Sequence, residues 1–241
     1  MYNNNFEFEV YGRNALFCDP LFRSEKSSYS VPTYQALVGV VSSVYWKPTL
    51  VWKIDRVRVL HPFVTEAKGM RPLDKNFAVN KNSLAYYQYL VNPAYQIACH
   101  FEWNMQRDDL EADRNVKKHV SIFQRSLKVG GRRDIFLGTR ECQAYVRPAG
   151  FGEGTSVFDN TGTIDLGQMF LAYHYPDEHA DNKLSAKFWD AKMTDGIISF
   201  PDPDDCQTEQ KIRDVALQPY DKPKLTQPVD QLYSETDGDE S

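Results

Sequence analysis

Alternation of apolar and polar residues constrains the fold of this 241-residue chain more than any other feature. The longest unbroken run with a period of two is Tyr95, Ile97, Cys99, Phe101 and Trp103. Such a run predicts a β-strand with one buried face. Similar runs lie at residues 6–10 and 50–60, and a fourth, at residues 135–146, is interrupted by Gly138. We therefore expect a sheet built from at least four strands.

Two amphipathic helices are predicted between these strands. The first spans about Thr33 to Tyr45, where apolar residues recur every three or four positions before Pro48. The second follows Asn115, a suitable N-cap residue, and ends at Gly130-Gly131. Its apolar side is formed by Val116, Val120, Phe123 and Leu127.

The order of these elements predicts the fold class. Strand, helix, strand, strand, helix, strand is the ferredoxin-like (βαββαβ, RRM-like) arrangement of an α+β domain, with two helices on one face of an antiparallel sheet. This domain is expected over residues 1–148. Residues 65–92 have no clear period and are expected to form a long loop with some local structure.

The remaining residues predict a smaller unit and a tail. Turn signals at residues 160–162 and 194–196 indicate a small antiparallel β unit over residues 149–203. Its strands are expected at Val157, 168–175, 188–193 and 197–200. Residues 204–241 are acidic and poor in apolar side chains, and disorder is expected for most of them.

The net charge of −5 is distributed unevenly along the chain. Residues 1–200 hold 24 Lys+Arg against 22 Asp+Glu, whereas residues 201–241 hold 4 against 11. The stretch from Arg114 to Arg147 carries nine basic and two acidic side chains. A local excess of positive charge indicates a phosphate-binding surface.

Several classes of function are excluded by what the sequence lacks. It has no phosphate-binding loop, zinc-protease, serine-hydrolase or EF-hand motif, and its five His and four Cys residues are scattered without metal-ligand spacing. We therefore expect no metal and no cofactor. No run is apolar enough for a membrane span and the first residues do not resemble a secretion signal, so a cytoplasmic protein without a membrane partner is expected.

The segment Lys117-Lys118-His119 is the strongest candidate for chemistry. On a helical wheel His119 lies about 80° from the centre of the apolar side and Lys118 lies almost opposite, so both are expected to reach solvent. An imidazole can move a proton near neutral pH while ammonium groups hold a phosphate. Spacing alone favours the simpler interpretation, a solvated helix face with His119 at its boundary.

Two further candidates have the same ambiguity. Gly130-Gly131-Arg132-Arg133 is either a simple helix C-cap or a loop whose amides and arginines approach a phosphate chain. Tyr45, at the end of the first helix, is by its position more typical of a core residue than of a catalytic one.

A family resemblance adds to this interpretation. The runs Ser28–Leu37, Val44–Pro48, Lys118–Arg125 and Leu137–Cys142 resemble the RAMP-type protein of subtype I-C (Dvulg) CRISPR systems. Asp165–Gly167 and Ala191–Ser199 are similar as well. The resemblance covers about residues 6 to 203 in the same order and does not include the tail.

The resemblance implies an endoribonuclease that processes a precursor guide RNA. Such a protein cleaves the CRISPR repeat at the base of its stem-loop, stays bound to the 5′ handle, and joins the large and backbone subunits of a type I-C surveillance complex. Double-stranded DNA is a further candidate partner. The family's Tyr, Lys and His correspond to Tyr45, Lys118 and His119, although some relatives carry His at the first position. Which of Tyr45 and His119 is the base is left open.

The other basic residues are assigned to RNA binding, and two alternative functions are considered. The candidate RNA-binding residues are Lys117, Arg125, Arg132, Arg133 and Arg140. One alternative is a non-catalytic subunit that holds an RNA handle cut by another enzyme. The other is a structural subunit whose basic stretch meets an acidic protein surface.

Overall fold

The structure is a computed structural model that describes residues 4–20, 22, 25–73, 76, 78, 83–176, 181–206 and 208–215. Most of its regular structure is β-strand, with two α-helices and short 3-10 turns among the described residues. The helices are α1 (Tyr34–Val44) and α2 (Val116–Lys128). In this part of the chain, neither helix is long and apolar enough to cross a membrane.

Four antiparallel strands form the centre of the larger sheet. They are β1 (Asn5–Gly12), β3 (Leu50–Val59), β6 (Ala94–Trp103) and β8 (Gln143–Pro148), and β2 (Asn14–Ala15) follows β1 directly. Their order across the sheet is β3, β6, β1, β8. The period-two runs at residues 6–10, 50–60 and 95–103 are thus confirmed as strands. Both helices pack on the same side as the buried residues of these strands.

The two helices begin where their capping residues indicate. The Thr33 side chain accepts a hydrogen bond from the amide of Ala36, and the Asn115 side chain accepts one from the amide of Lys118. At the end of α2, Gly130 and Gly131 have φ of 88° and 101°, a conformation that favours glycine. Both predicted helices are confirmed to within about one residue at each end.

Aromatic side chains fill the space between α2 and the sheet. The ring centroids of Phe6 and Phe123 are 4.2 Å apart, and those of Trp52 and Phe123 are 5.1 Å apart. Phe101 stands edge-on to Trp52 at 5.7 Å and is tilted toward Trp103 at 5.3 Å. This cluster fixes the distance between α2 and β6, and it thereby positions the first turn of α2 against the sheet.

The prediction of a long loop over residues 65–92 is wrong in two segments. β4 (Thr65–Met70) and β5 (Ala85–Val91) pair with each other, and β5 also pairs with β2, to give a separate three-stranded sheet. Most of β4 is exposed on both faces, so its sequence shows no alternation to reveal the strand. Residues 74, 75, 77 and 79–82 lie outside the described residues.

The predicted fourth strand divides at Gly138. β7 (Ile135–Phe136) and β8 flank a turn in which Gly138 has φ of 90°. A Cβ at this position would lie 1.9 Å from the backbone oxygen of Leu16. Only glycine allows β7 and β8 to turn so close to the residues that follow β2.

Strands beyond residue 148 extend the larger sheet. β9 (Thr163–His174), β10 (Lys183–Thr194) and β11 (Ile197–Ser199) form antiparallel pairs, and β11 pairs with β3. Asp195 and Gly196 have positive φ values, 48° and 77°, at the tight turn joining β10 to β11. The strand expected at Val157 is wrong, because residues 157–160 form a turn.

Part of the predicted tail is ordered. β12 (Thr208–Asp214) pairs with β10, with the Glu209 carboxylate bonded to the Ser185 hydroxyl and, at 2.9 Å, to Lys183. The expectation of disorder is therefore wrong for these residues, since strand pairing and these polar contacts hold a segment with few apolar side chains. Residues 216–241 lie outside the described residues.

The face of the sheet opposite the helices is partly covered by residues 150–159. The buried guanidinium of Arg58 donates to the backbone oxygens of Glu153 and Gly154, each at 3.2 Å, and to the Asp159 carboxylate at 2.8 Å. Gln96 accepts a bond from the amide of Gly152 at 2.9 Å. These bonds satisfy polar groups that would otherwise be buried without partners.

Candidate active site

Tyr45 stands at the C-cap of α1. Its backbone leaves the helix in an extended conformation, with φ of −160°, while its amide still donates to the carbonyl of Val41. The indole of Trp52 donates to the Tyr45 carbonyl at 2.9 Å. These two bonds fix the backbone and turn the phenol ring inward, so that Tyr45 is fully buried.

His119 lies in the first turn of α2 and is also fully buried. Its ring packs edge-on against Phe101 and Trp103 of β6, with centroid distances of 6.0 and 5.6 Å. The prediction that His119 reaches solvent is therefore wrong. The wheel placed it correctly at the edge of the apolar side, but Trp103 and Tyr45 cover that edge in the folded chain.

Tyr45 and His119 form a hydrogen-bonded pair although 74 residues separate them. The Tyr45 hydroxyl lies 2.8 Å from Nδ1 of His119, and Nε2 of His119 lies 2.8 Å from the carbonyl oxygen of Asp113. Because a carbonyl can only accept, Nε2 carries a proton. In the neutral ring Nδ1 therefore accepts the hydrogen bond from Tyr45. Burial and the nearby Asp113 charge raise the pKa of the Tyr45 phenol, an effect partly offset by Arg132, and the phenol is thus protonated at neutral pH.

Lys118 is exposed, as predicted, and its ammonium group contacts the carboxylate of Asp113. The same carboxylate accepts from the hydroxyl of Thr49 at 2.7 Å and lies 3.5 Å from the Lys47 ammonium. The bonds from Lys118 and Thr49, followed by the charge of Lys47, hold the pKa of Asp113 well below its usual range. Asp113 therefore remains ionised throughout the neutral range.

Sequence reasoning missed Asp113, Lys47 and Thr49. Asp113 ends a 3-10 helix (Asp108–Asp113) just before the cap of α2, and Lys47 and Thr49 lie between α1 and β3. Lys47 is two residues after Tyr45, within the run Val44–Pro48. No motif or spacing marks Asp113, because its contacts join three separate elements.

Arg132 lies beside the pair. Its guanidinium is 5.1 Å from the centre of the Tyr45 ring, and the side chains of Arg132 and Arg133 are exposed. The amides of both arginines donate to the carbonyl of Ser43 at 3.1 Å. These amides are therefore unavailable to a phosphate, whereas the guanidinium groups face solvent. Gly130-Gly131 acts as the C-cap that brings this loop back onto α1.

The remaining predicted RNA-binding residues are exposed at different distances from the pair. Lys117 lies on α2 next to Lys118. Arg125 is six residues beyond His119 on the same helix, about 9 Å along its axis. Arg140 lies in the turn between β7 and β8, with its guanidinium 5.6 Å from the Phe136 ring.

Fold and site together define an α+β protein with a buried phenol–imidazole pair beneath a rim of cationic side chains. The family follows from direct comparison. The chain belongs to the CRISPR-associated protein (Cas_Cas5) family, whose Cas5d model matches residues 6–201.

Individual relatives agree with this family. A curated protein of Thermus thermophilus, named CRISPR pre-crRNA endoribonuclease Cas5d, is 29% identical over 217 residues, which cover 80% of this chain and 90% of that protein. The Mannheimia succiniciproducens protein of the same name is 25% identical over 226 residues, covering 82% and 95%. A solved structure of a CRISPR-associated protein, 37% identical, matches with a TM-score of 0.74 over 87% of this chain and 98% of that one.

Proposed function

We propose that this chain is an endoribonuclease that cuts CRISPR repeat RNA at the base of its stem-loop and stays bound to the 5′ handle. The observation that carries the proposal is the 2.8 Å contact between the Tyr45 hydroxyl and Nδ1 of His119, next to the exposed ammonium group of Lys118. The endoribonuclease names of the two curated relatives support the same activity.

The proposed fold of the RNA-binding part is ferredoxin-like and spans residues 1–148. The order β3, β6, β1, β8 supports it, since a βαββαβ chain folded in this way places its first and third strands together at the centre of the sheet. Residues 149–203 form, in this proposal, a β extension of that unit. The acidic residues beyond them make up a tail whose role is not assigned.

The proposed reaction is attack of a ribose 2′-hydroxyl on the adjacent phosphate. The 2′ oxygen forms a bond to phosphorus, the bond from phosphorus to the 5′ oxygen breaks, and the products are a 2′,3′-cyclic phosphate and a free 5′-hydroxyl. One proton leaves the 2′-hydroxyl and one is delivered to the 5′ oxygen. Tyr45 and His119 serve these two transfers, in an order that the geometry leaves open.

Lys118 stabilises the negative charge that grows on the phosphoryl oxygens. Its ammonium group is half exposed and already lies within reach of an anion, since it contacts the Asp113 carboxylate. Arg132 can contribute in the same way, because it covers one face of Tyr45 with a solvent-exposed guanidinium. Neither role requires a metal ion.

Access to the pair requires a local movement. Tyr45 and His119 have no solvent-exposed surface. The flexible Arg132 side chain lies over the Tyr45 ring, and the flexible Lys118 side chain contacts the Asp113 carboxylate, which is 3.6 Å from His119. Rearrangement of a surface Arg or Lys needs only rotation of side-chain torsions. In the proposed complex the RNA phosphates draw these two side chains outward and open the site.

The proposed partners are the repeat RNA and the subunits of a type I-C surveillance complex. Lys117, Arg125, Arg133 and Arg140 hold the RNA backbone, because they extend the positive surface from the site along α2 and the β7–β8 turn. Their exposure leaves the guanidinium and ammonium groups accessible to phosphates. Base-specific contacts to the stem-loop are not assigned.

Cleavage of a synthetic repeat RNA tests the proposal. The protein should cut the RNA at one position in the presence of EDTA, and replacing the single 2′-hydroxyl before the scissile phosphate with hydrogen should abolish cutting. Cutting that needs a divalent ion and survives the deoxy substitution would contradict the mechanism. Tight binding of the repeat with no cutting would instead support the non-catalytic handle-binding subunit.

A further inference from the structure

We infer that Asp113 is a positioning residue of the cleavage site. Its backbone carbonyl orients His119, and its carboxylate both positions Lys118 and stabilises a positive charge on the imidazole. This inference rests on the proposed function and adds a fourth residue to Tyr45, Lys118 and His119.

The backbone of Asp113 determines which nitrogen of His119 carries a proton. Its carbonyl oxygen lies 2.8 Å from Nε2 of His119 and also accepts from the amide of Asn115 at 2.8 Å. The residue is thus held by the N-cap of α2. With Nε2 committed to this carbonyl, Nδ1 is the nitrogen that exchanges a proton with Tyr45.

The carboxylate of Asp113 restrains the cations of the site. One oxygen contacts Lys118 and lies 3.5 Å from Lys47, and the other accepts from the Thr49 hydroxyl at 2.7 Å. Thr49, the residue before β3, is almost fully buried. Its bond therefore fixes the position of the Asp113 carboxylate relative to the sheet. A lysine side chain alone has several freely rotating bonds, and the contact with an anchored carboxylate limits where its ammonium group can lie.

The same carboxylate also lies close to the imidazole ring. Its second oxygen is 3.6 Å from Nε2 of His119. The titratable or charged groups facing His119 are Tyr45 after α1, Asp113 before α2, and the more distant Lys47, Lys118 and Arg132. Asp113 is the anion among them. When His119 takes up a proton during the reaction, Asp113 is therefore the group that stabilises the imidazolium, as the aspartate does in a Ser-His-Asp triad.

A change in the pH dependence separates this role from a purely structural one. Loss of the carboxylate charge makes the imidazolium less favourable. If His119 is the base, the acid limb of the pH–rate profile moves to lower pH, and if it is the acid, the alkaline limb moves to lower pH. The direction is the same in both cases. A variant that disturbs the geometry of the site but keeps the Asp113 charge would change the cleavage rate and leave the limb of the pH–rate profile at its wild-type position.

Asp113→Asn is the test, with Asp108→Asn as the matched control. Both aspartates lie in the 3-10 helix before α2, but Asp108 is 93% exposed and lies 3.8 Å from Arg114 at its nearest approach. Single-turnover cleavage of repeat RNA should slow by about 10- to 100-fold in Asp113→Asn. The limb of its pH–rate profile should move to lower pH, and its RNA affinity should stay within a few-fold of wild type. Asp108→Asn should match the wild type in rate and profile.

Thr49→Val provides a second variant in case Asp113→Asn does not fold. It removes the anchoring hydroxyl and keeps the carboxylate charge, so the rate should fall while the pH limb stays at the wild-type position. A rate equal to that of Asp108→Asn would overturn the inference.

Each outcome distinguishes this inference from the proposed function. A wild-type protein that does not cut repeat RNA refutes the function itself. If the wild type cuts and Asp113→Asn cuts equally fast with the same limb, only the role of Asp113 is refuted. Faster cutting and tighter RNA binding by Asp113→Asn also refutes it, because the carboxylate would then compete with the scissile phosphate.

Discussion

Replacement of His119 by Ala tests the proton-transfer pair most directly. The side chain is fully buried, both ring nitrogens make 2.8 Å contacts, and Phe101 and Trp103 pack against the ring. Unlike a residue at a solvated helix face, His119 cannot be removed without a loss of stability. The experiment must therefore separate folding from catalysis.

The structural loss can be estimated from the contacts. Removing the imidazole leaves the Tyr45 hydroxyl without its partner, which costs about 1–3 kcal/mol, whereas the Asp113 carbonyl keeps its bond from Asn115. The ring also leaves a small cavity beneath Trp103, so we expect a total of about 2–4 kcal/mol. For a chain of this length, that corresponds to a fall in Tm of roughly 5–15 °C.

The assay is single-turnover cleavage well below the reduced Tm, alongside RNA binding and thermal melting. His119→Ala should cut at least about 10²-fold more slowly and bind the intact repeat within a few-fold of wild type. His119→Gln is the matched control for stability, because an amide can donate to the Asp113 carbonyl and accept from Tyr45 but cannot titrate. It should recover much of the Tm and none of the rate.

Two results would refute the reasoning. If folded His119→Ala cuts at the normal rate, His119 is a buried structural residue and the site of chemistry lies elsewhere. If His119→Gln regains both stability and rate, the hydrogen bonds rather than proton transfer account for the effect of the alanine.

Three further predictions concern the surroundings of the pair. Tyr45→Phe removes one hydroxyl and should slow cleavage at least about tenfold while costing about 1–3 kcal/mol in a denaturant melt; an unchanged rate would make Tyr45 only a partner that orients His119. Replacing both Arg132 and Arg133 with Ala should make the slope of log K for RNA binding against log salt concentration less steep, by about 0.7 per lost phosphate contact on single strands. An unaltered slope would place the RNA elsewhere. Arg58→Ala should lower the unfolding free energy by roughly 1–3 kcal/mol, because it removes the bonds from a buried guanidinium to Glu153, Gly154 and Asp159, yet should not change the cleavage rate of the folded protein.

Local sequence signals predicted the elements that carry the site. The capping residues Thr33 and Asn115 set the starts of α1 and α2, and Gly130-Gly131 sets the end of α2. Alternation identified the central strands, since each has one face against the helices. β4 lacks such a buried face, and β12 is exposed at every residue, which explains why neither produced a period-two signal.

The sequence could not predict which residues meet in space. A helical wheel states the direction of His119 from the axis of α2, but burial depends on Trp103 and Tyr45, which come from other elements. Tyr45 was linked to His119 by family resemblance, and its position alone indicated a core residue. The structure shows a core residue with its hydroxyl aimed at an imidazole, so the two interpretations of Tyr45 are compatible.

A carboxylate at the centre of an RNA-cleaving site would at first be expected to repel the substrate, and the charges around Asp113 resolve this objection. Lys47 and Lys118 contact it directly, and Arg132 lies over the adjacent Tyr45 ring. Three cations against one anion leave the site positive while Asp113 is ionised. The first turn of α2 adds the partial positive charge of a helix N-terminus. The site can therefore attract a phosphate and still keep a fixed negative charge 3.6 Å from His119, where a positive charge must appear during proton transfer.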